Sequence, residues 1–181
     1  MCNNSKKDFL ITIALANTVI AAFSRATVYT KDATEEQRSD LREALKTVLR
    51  ALGKRYRTST PSDDEHMDNL RHLADQISRS FGDVLAGRRL RFGVAQKALN
   101  LYLKFLWCMG EITEPPHCPF DRTVLEAAPP LDRARPHQPW TRMDDEDEYR
   151  RWLAAARAVA GKESLPEWEL GVWAAISQPH R

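Results

Sequence analysis

The sequence predicts an all-α protein that forms one domain, residues 1–181, of about seven helices. Apolar residues recur three and four positions apart along most of the chain, which is the period of a helix with one buried face. Several of these stretches follow a residue pattern typical of helix N-caps. No run of alternating apolar and polar residues is long enough to predict a strand. A chain of 181 residues, 43% of them hydrophobic, buries a core without needing disulfides or metal ions.

The first helix is predicted from a capping pattern at Ser5 and Asp8 to about Arg25. Apolar residues at helical spacing define one of its faces, and we expect that face to be buried. These residues are Phe9, Ile13, Ala16, Ile20 and Phe23. The second helix is predicted from the cap signature at Thr34 to Gly53, because glycine commonly follows the last turn of a helix.

The third and fourth helices follow from the same signals. Asp63 or Asp64 caps the third, which carries apolar residues at helical spacing as far as Phe81. The stretch 95–109 predicts the fourth. It is apolar on most sides, so we expect it to lie at the centre of the fold, with neighbours on several faces.

Prolines interrupt the chain after the fourth helix. Pro115, Pro116 and Pro119 stiffen the approach to Asp121, and residues 128–140 are rich enough in proline to predict an irregular segment. The sequence therefore places Asp121 on a rigid loop.

The C-terminal helices are predicted to span residues 144–178. The acidic run 144–148 suits the positive end of a helix dipole, although an interaction motif is an alternative interpretation of it. Ser164 and Glu167 form a capping box for the last helix. Trp168 and Trp173, which lie on that helix, are predicted to pack in the core.

The charge is distributed unevenly along the chain. A net charge of +2 is too small to indicate a partner, but the stretch from Val84 to Gly110 contains no acidic residue. It does contain basic residues, namely Arg88, Arg89, Arg91, Lys97 and Lys104. Such a stretch attracts phosphate groups without reading a base sequence.

The cysteine content indicates a reducing compartment, since three cysteines are an odd number without a framework spacing. Zinc binding by Cys108, His117 and Cys118 is the alternative, but no C-x-x-C pair supports it. We therefore predict no metal site.

A cytoplasmic location is expected. The N-terminal stretch has the basic start and apolar middle of a signal peptide, but Asp8, Asn17 and the lack of a clean cleavage site favour a buried helix. It is also too short and too interrupted to span a membrane.

Residues 92–100, FGVAQKALN, resemble the hairpin of the helix-hairpin-helix DNA glycosylases, whose pattern is approximately L-P-G-V-G-x-K-T-A. Gly93 and Val94 match the first glycine and its apolar partner, and Lys97 falls where bifunctional members carry the catalytic lysine. The later stretch PFDRTVL is similar to the family's V-D-x-x-V motif, with Asp121 at the catalytic aspartate. The prolines before it are most similar to those of the archaeal 8-oxoguanine glycosylase branch.

The resemblance implies a helix-hairpin-helix element around residues 84–109 and a catalytic loop reaching residue 125. It implies a DNA glycosylase with AP (β-)lyase activity that excises a damaged or modified base from double-stranded DNA and acts as a monomer. Lys97 is the implied nucleophile and Asp121 its electrostatic partner, and this chemistry requires no metal or organic cofactor. Expected DNA contacts are Arg88, Arg89, Arg91, Gly93, Val94, Ala95 and Gln96. Expected substrate contacts are Trp107 and His117.

The match is incomplete, and other interpretations remain. Ala95 replaces the second hairpin glycine, and the interval from Lys97 to Asp121 is longer than in common bifunctional members. In the alternative interpretation Lys97 is a solvent-facing residue and Asp121 a helix cap, while Lys104 is a competing nucleophile. The alternative functions are a non-catalytic helical nucleic-acid-binding module and a protein-interaction domain.

Overall fold

The computed structural model describes residues 2–177, with the side chains of residues 5–177, and confirms the all-helical prediction. Seven α-helices make up one domain, and the described residues contain no strand beyond an isolated bridge between Tyr29 and Leu85. The helices are α1 (Cys2–Phe23), α2 (Glu35–Gly53), α3 (Asp63–Phe81), α4 (Phe92–Cys108), α5 (Arg122–Ala127), α6 (Glu146–Ala160) and α7 (Leu165–Ser177). The predicted C-terminal boundary at residue 178 lies outside the described residues.

Capping residues fix where most of these helices begin. Thr34 forms the predicted capping box with Gln37 at the start of α2. The cap of α3 is Ser62, which forms a box with Glu65, so the prediction of Asp63 or Asp64 was displaced by one or two residues. α1 already includes Cys2, so the expected cap at Ser5 falls inside the helix.

α4 lies at the centre of the fold, as its sequence predicted, and it packs against α1, α2 and α3. The last three helices, α5, α6 and α7, pack against one another. Residues 92–100 of α4 are all buried, because neighbours cover this part of the helix on every side. Side chains of α4 also reach the second group, since Asn100 donates to Tyr149 of α6 and Lys104 pairs with Glu169 of α7.

α1 has its buried face on the side opposite to the one predicted. Leu15, Val19 and Ala22 pack in the core, whereas the side chains of Phe9 and Ile20 are both 64% exposed. Both faces of α1 are apolar, so periodicity alone did not identify the face that packs.

A chain of polar side chains crosses the core beneath α4. Tyr56 Oη donates to Nδ1 of His66 at 2.8 Å, and Nε2 of His66 donates to Oδ1 of Asn100 at 2.8 Å. Nδ2 of Asn100 donates to Oη of Tyr149 at 3.0 Å, and that hydroxyl donates to Nδ1 of His117 at 3.0 Å. Each of these buried polar groups therefore has the partner that makes its burial tolerable.

Both ends of this chain reach more exposed side chains. At one end Nε2 of His117 donates to Oδ1 of Asp63 at 3.2 Å. At the other, Nδ2 of Asn69 donates to Tyr56 Oη at 2.9 Å, and Arg55 donates to Oδ1 of Asn69 at 2.6 Å. The chain links α3, α4 and α6 with the loop before α5.

Candidate active site

Lys97 and Asp121 lie in contact. Nζ of Lys97 is 2.8 Å from Oδ2 of Asp121. Lys97 projects from the second turn of α4 and is only 7% exposed, while Asp121 is the N-cap of α5 and accepts from the amide of Val124 at 3.1 Å. Asp121 is therefore both a helix cap and the partner of a buried lysine.

The buried amide of Gln96 holds the loop that carries Asp121. Its Nε2 donates to the carbonyl oxygen of Phe120 at 2.7 Å, and its Oε1 accepts from the amide of Phe120 at 3.1 Å. This pair of bonds fixes the residue just before Asp121 against the turn of α4 that carries Lys97. Although the two motifs are far apart in sequence, these bonds hold Asp121 close to Lys97.

Opposing effects act on the Asp121 carboxyl. Burial raises its pKa. The Lys97 ammonium and the backbone amides of Val124 and Thr123 together lower the pKa by more than burial raises it, so the net pKa lies below the ordinary value. Asp121 is therefore an anion at neutral pH, suited to stabilising a positive charge beside it.

Lys97 and Asp121 open onto a common cleft of about 370 Å³. Its walls come from the end of α1, from α5, from α7 and from the loop before α6. The other residues lining it are Ala21, Ser24, Arg25, Thr123, Val124, Trp140, Glu169, Val172, Trp173, Ile176 and Ser177. A cleft of this size accommodates a small ligand or one unit of a polymer.

Glu169 is a second carboxylate in the cleft, and the sequence analysis did not identify it. It is buried on α7, with Oε2 at 2.5 Å from Nζ of Lys104. Burial raises its pKa by more than Lys104 lowers it, so the net pKa lies above the ordinary value. The available signal was the spacing of Lys97 and Lys104, because two lysines two turns apart on an apolar helix need two buried acids.

Gly93 was expected in the turn of the hairpin, but it lies within the first turn of α4, which follows a short 3-10 helix, Ala86–Arg88. The amide of Phe92 donates to Oδ1 of Asp144 at 2.9 Å, and the amide of Gly93 donates to the carbonyl oxygen of Met143 at 2.9 Å. The prediction that this helix N-terminus holds a DNA phosphate is wrong, since a carboxylate and a carbonyl of the protein already occupy it.

Close packing accounts for the glycine at position 93. A Cβ atom there would lie 1.9 Å from the carbonyl oxygen of Trp140. Val94, Ala95 and Gln96, which were also expected to contact DNA, are buried beside it. Glycine at position 93 therefore allows the backbone at Trp140 to pack directly against α4.

The three arginines before α4 all have partners within the protein. Arg88 pairs with Asp83 at 2.7 Å, and Nε of Arg89 pairs with Asp144 at 3.0 Å. Arg91 donates to the carbonyl oxygens of two neighbouring loops, at 3.2 and 3.3 Å. The positive stretch in the sequence is therefore largely neutralised or used for packing.

The two residues expected to contact a substrate lie elsewhere. His117 is fully buried, and both of its ring nitrogens are engaged within the core. Its predicted accessibility was wrong, because the ring packs against His66 and Tyr149 in the core. Trp107 lies ten residues beyond Lys97, about 15 Å along the helix axis, and does not line the cleft.

Within residues 5–177, no three His, Cys, Asp or Glu side chains are grouped so as to hold a metal ion. No helix in the described part of the chain combines the length and the apolarity needed to cross a bilayer.

Comparisons with protein-family models, curated proteins and solved structures find no match to this chain.

Proposed function

We propose that this chain is a DNA glycosylase with AP lyase activity and that Lys97 is its nucleophile. The observation that carries the proposal is the 2.8 Å contact between the Lys97 amine and the Asp121 carboxylate in one cleft. Glu169 lines the same cleft and its pKa is shifted in the opposite direction from that of Asp121. Two carboxyl groups with divergent pKa values beside a buried amine are typical of acid–base chemistry.

The lyase reaction needs few groups. The neutral amine of Lys97 adds to the C1′ aldehyde carbon of an abasic sugar, and water leaves to give a protonated imine. Water takes a proton from C2′, the C3′–O bond breaks, and the phosphate leaves C3′ as the 5′ end of the downstream strand. Water finally hydrolyses the imine. Asp121 is the nearest group that can accept the proton that Lys97 must lose before it attacks, and it becomes an anion again when that proton passes to solvent.

Base removal requires one more proton transfer. As the Lys97 nitrogen bonds to C1′, the C1′–N bond to the base breaks, and the leaving base takes up a proton. Glu169 holds a proton more readily than Asp121 because burial raises its pKa. We therefore assign Glu169 as the group that passes this proton from the adjacent Lys104 ammonium to the base, and Asp121 as the anion that stabilises positive charge on the sugar.

A different basic segment is adjacent to the cleft. Residues 128–143 carry three exposed arginines, Arg133, Arg135 and Arg142, and one acid. Part of this loop lines a neighbouring cavity of about 510 Å³, which shares Arg25 and Trp140 with the cleft. These arginines are the groups that we propose hold the DNA backbone.

Borohydride trapping tests the chemistry. A duplex with one abasic site should form a covalent adduct with the wild-type chain, and Lys97→Arg should abolish the adduct while keeping a cation beside Asp121. Lys46→Arg is the matched control, because Lys46 lies on α2 in an exposed pair with Glu43 and outside the cleft. We expect it to trap as well as wild type.

Two outcomes contradict the assignment. An adduct that survives in Lys97→Arg but disappears in Lys104→Arg makes Lys104 the nucleophile. The absence of any adduct, together with salt-dependent binding to duplex, favours the non-catalytic nucleic-acid-binding module.

Salt dependence tests the proposed DNA surface separately. Replacing Arg133, Arg135 and Arg142 by alanine should reduce the slope of log affinity against log salt concentration by about three. The Arg88→Ala/Arg89→Ala variant is the control, and its slope should match that of wild type. A smaller salt slope in the Arg88→Ala/Arg89→Ala variant, with an unchanged slope in the triple variant, means that DNA binds at the arginines before α4 instead.

A further inference from the structure

The outward face of α1 carries an apolar stripe that nothing in the described structure covers. Phe9 and Ile20 are each 64% exposed and Ile13 is 44% exposed, while Ala16 between them is half-buried. We call these four residues the α1 seam. Large apolar side chains aligned along one helix face, rather than scattered singly, indicate an interaction surface.

The spacing of the seam is that of a coiled coil. Its residues follow one another at intervals of four, three and four positions, the alternation that places a and d residues along one helix. An ideal surface helix has one apolar stripe, yet α1 has a second one on the opposite side, formed by Leu15, Val19 and Ala22 in the core. The partner that this pattern fits is another helix.

We infer that the partner helix is α1 of a second copy of this chain, so that the protein is a homodimer. Residues 9–24 contain no charged residue. The seam therefore offers no charge to select a different partner, and self-pairing produces no repulsion. Ala16, at the middle of the stripe, lets two backbones approach closely, and the flanking large side chains then interdigitate.

The seam is separate from the cleft that holds Lys97 and Asp121. The exposed side chains of Trp173 and Ile176 on α7 line that cleft together with Ala21 and Ser24 of α1, whereas none of the four seam residues does. The dimer contact that we infer is therefore confined to the seam and leaves the cleft accessible.

Lipid is a poorer fit to this face. A helix lying in a membrane surface has a charged, basic face opposite its apolar one. The side of α1 opposite the seam is instead packed against α4 in the core. The helix thus lacks the polar face that contacts lipid head groups and water.

Analytical ultracentrifugation tests the inference independently of the reaction. We expect the wild-type chain to sediment as a dimer across about 1 to 100 μM protein. The double variant Ile13→Lys/Ile20→Lys should dissociate, its Kd rising at least about a hundredfold because two lysines on each chain would be buried in the seam. Both positions are exposed, so the monomer should keep its helical circular dichroism signal and thermal midpoint.

Val159→Lys is the matched control. Val159 is an exposed apolar residue on α6, outside the seam, and its replacement should leave the dimer intact. Three results overturn the inference: a wild-type monomer at 100 μM, a dimer that persists unchanged in the double variant, or loss of dimer in Val159→Lys. Seam-dependent cosedimentation of a monomer with vesicles of phosphatidylcholine and phosphatidylserine also overturns it and assigns the face to lipid.

Discussion

The imidazole rings of His66 and His117 pack edge to face in the core, with their centroids 4.3 Å apart. Each ring has both nitrogens hydrogen-bonded within the protein. The partners assign the same neutral tautomer to both, with Nδ1 accepting from a tyrosine hydroxyl and Nε2–H donating to an amide or carboxylate oxygen. A proton added to Nδ1 of either ring therefore breaks a tyrosine bond and places a charge next to the other ring.

We predict that the protein loses stability as the pH falls below about 6.5, the ordinary pKa of histidine. Burial lowers the pKa of both histidines in the folded protein, for His66 to well below the ordinary value. Below pH 6.5 the unfolded chain therefore binds more protons than the folded one, and each site lowers the unfolding free energy by up to about 1.4 kcal/mol per pH unit. Urea unfolding measured from pH 8 to pH 5 checks this.

The matched variants are His66→Gln and His72→Gln. The first removes one buried titrating group and should flatten the pH dependence, although it also weakens the core. His72 is exposed on α3, so its replacement should leave the pH dependence unchanged. Stability that stays constant between pH 8 and pH 5 contradicts the neutral assignment.

Replacing Gly93 by alanine should destabilise the fold by more than about 3 kcal/mol, because the added methyl group meets a backbone carbonyl that has no side-chain freedom to move aside. The ideal Cβ position is 1.9 Å from the oxygen of Trp140 and 3.0 Å from that of Met143. Thermal and urea unfolding measure the loss.

Gly171→Ala is the control for that substitution. Gly171 lies in α7 with open space around its Cβ position, and alanine in a helix interior is more favourable than glycine by about 0.5 to 1 kcal/mol. We expect this variant to gain stability. An equal loss in both variants means that the close approach at Gly93 is not the cause.

Local sequence signals predicted most of the helices, because their determinants are short. Thr34 and Gln37 are three residues apart and form a capping box, an interaction that depends only on neighbouring residues. The central position of α4 followed from its apolar composition. The Lys97–Asp121 pair followed from the resemblance of two motifs and not from physical reasoning about either residue.

Predictions that depended on tertiary neighbours failed. Whether Phe9 or Leu15 faces the core is decided by which side of α1 meets α4, and both sides are apolar. Likewise, the sequence around Gly93 does not distinguish a glycine in an exposed turn from a glycine that is covered by a loop of the same protein. Asp144, which caps α4 from 52 residues away, was interpreted only as part of the start of α6.

Asp144→Ala should destabilise the protein by about 1 kcal/mol, since it removes the carboxylate that caps α4. It also exposes a helix N-terminus that attracts anions. We therefore predict that sodium phosphate raises the thermal midpoint of this variant more than that of wild type, compared with sodium chloride at equal ionic strength. Asp83→Ala, which removes an exposed partner of Arg88, should respond to phosphate as wild type does.

The buried pair of Lys104 and Glu169 should stabilise the fold less than apolar residues in the same places. Burial raises the pKa of Glu169 in spite of the adjacent lysine, so the attraction does not recover what the carboxylate loses by leaving water. Glu169→Gln alone leaves Lys104 buried without its charge partner and should cost about 3 kcal/mol. Lys104→Met/Glu169→Met removes both charges and should be at least as stable as wild type in urea unfolding.

The control variant Glu126→Gln, which breaks an exposed pair with Arg122, should change stability little. A double variant less stable than Glu169→Gln means that the pair contributes net stability.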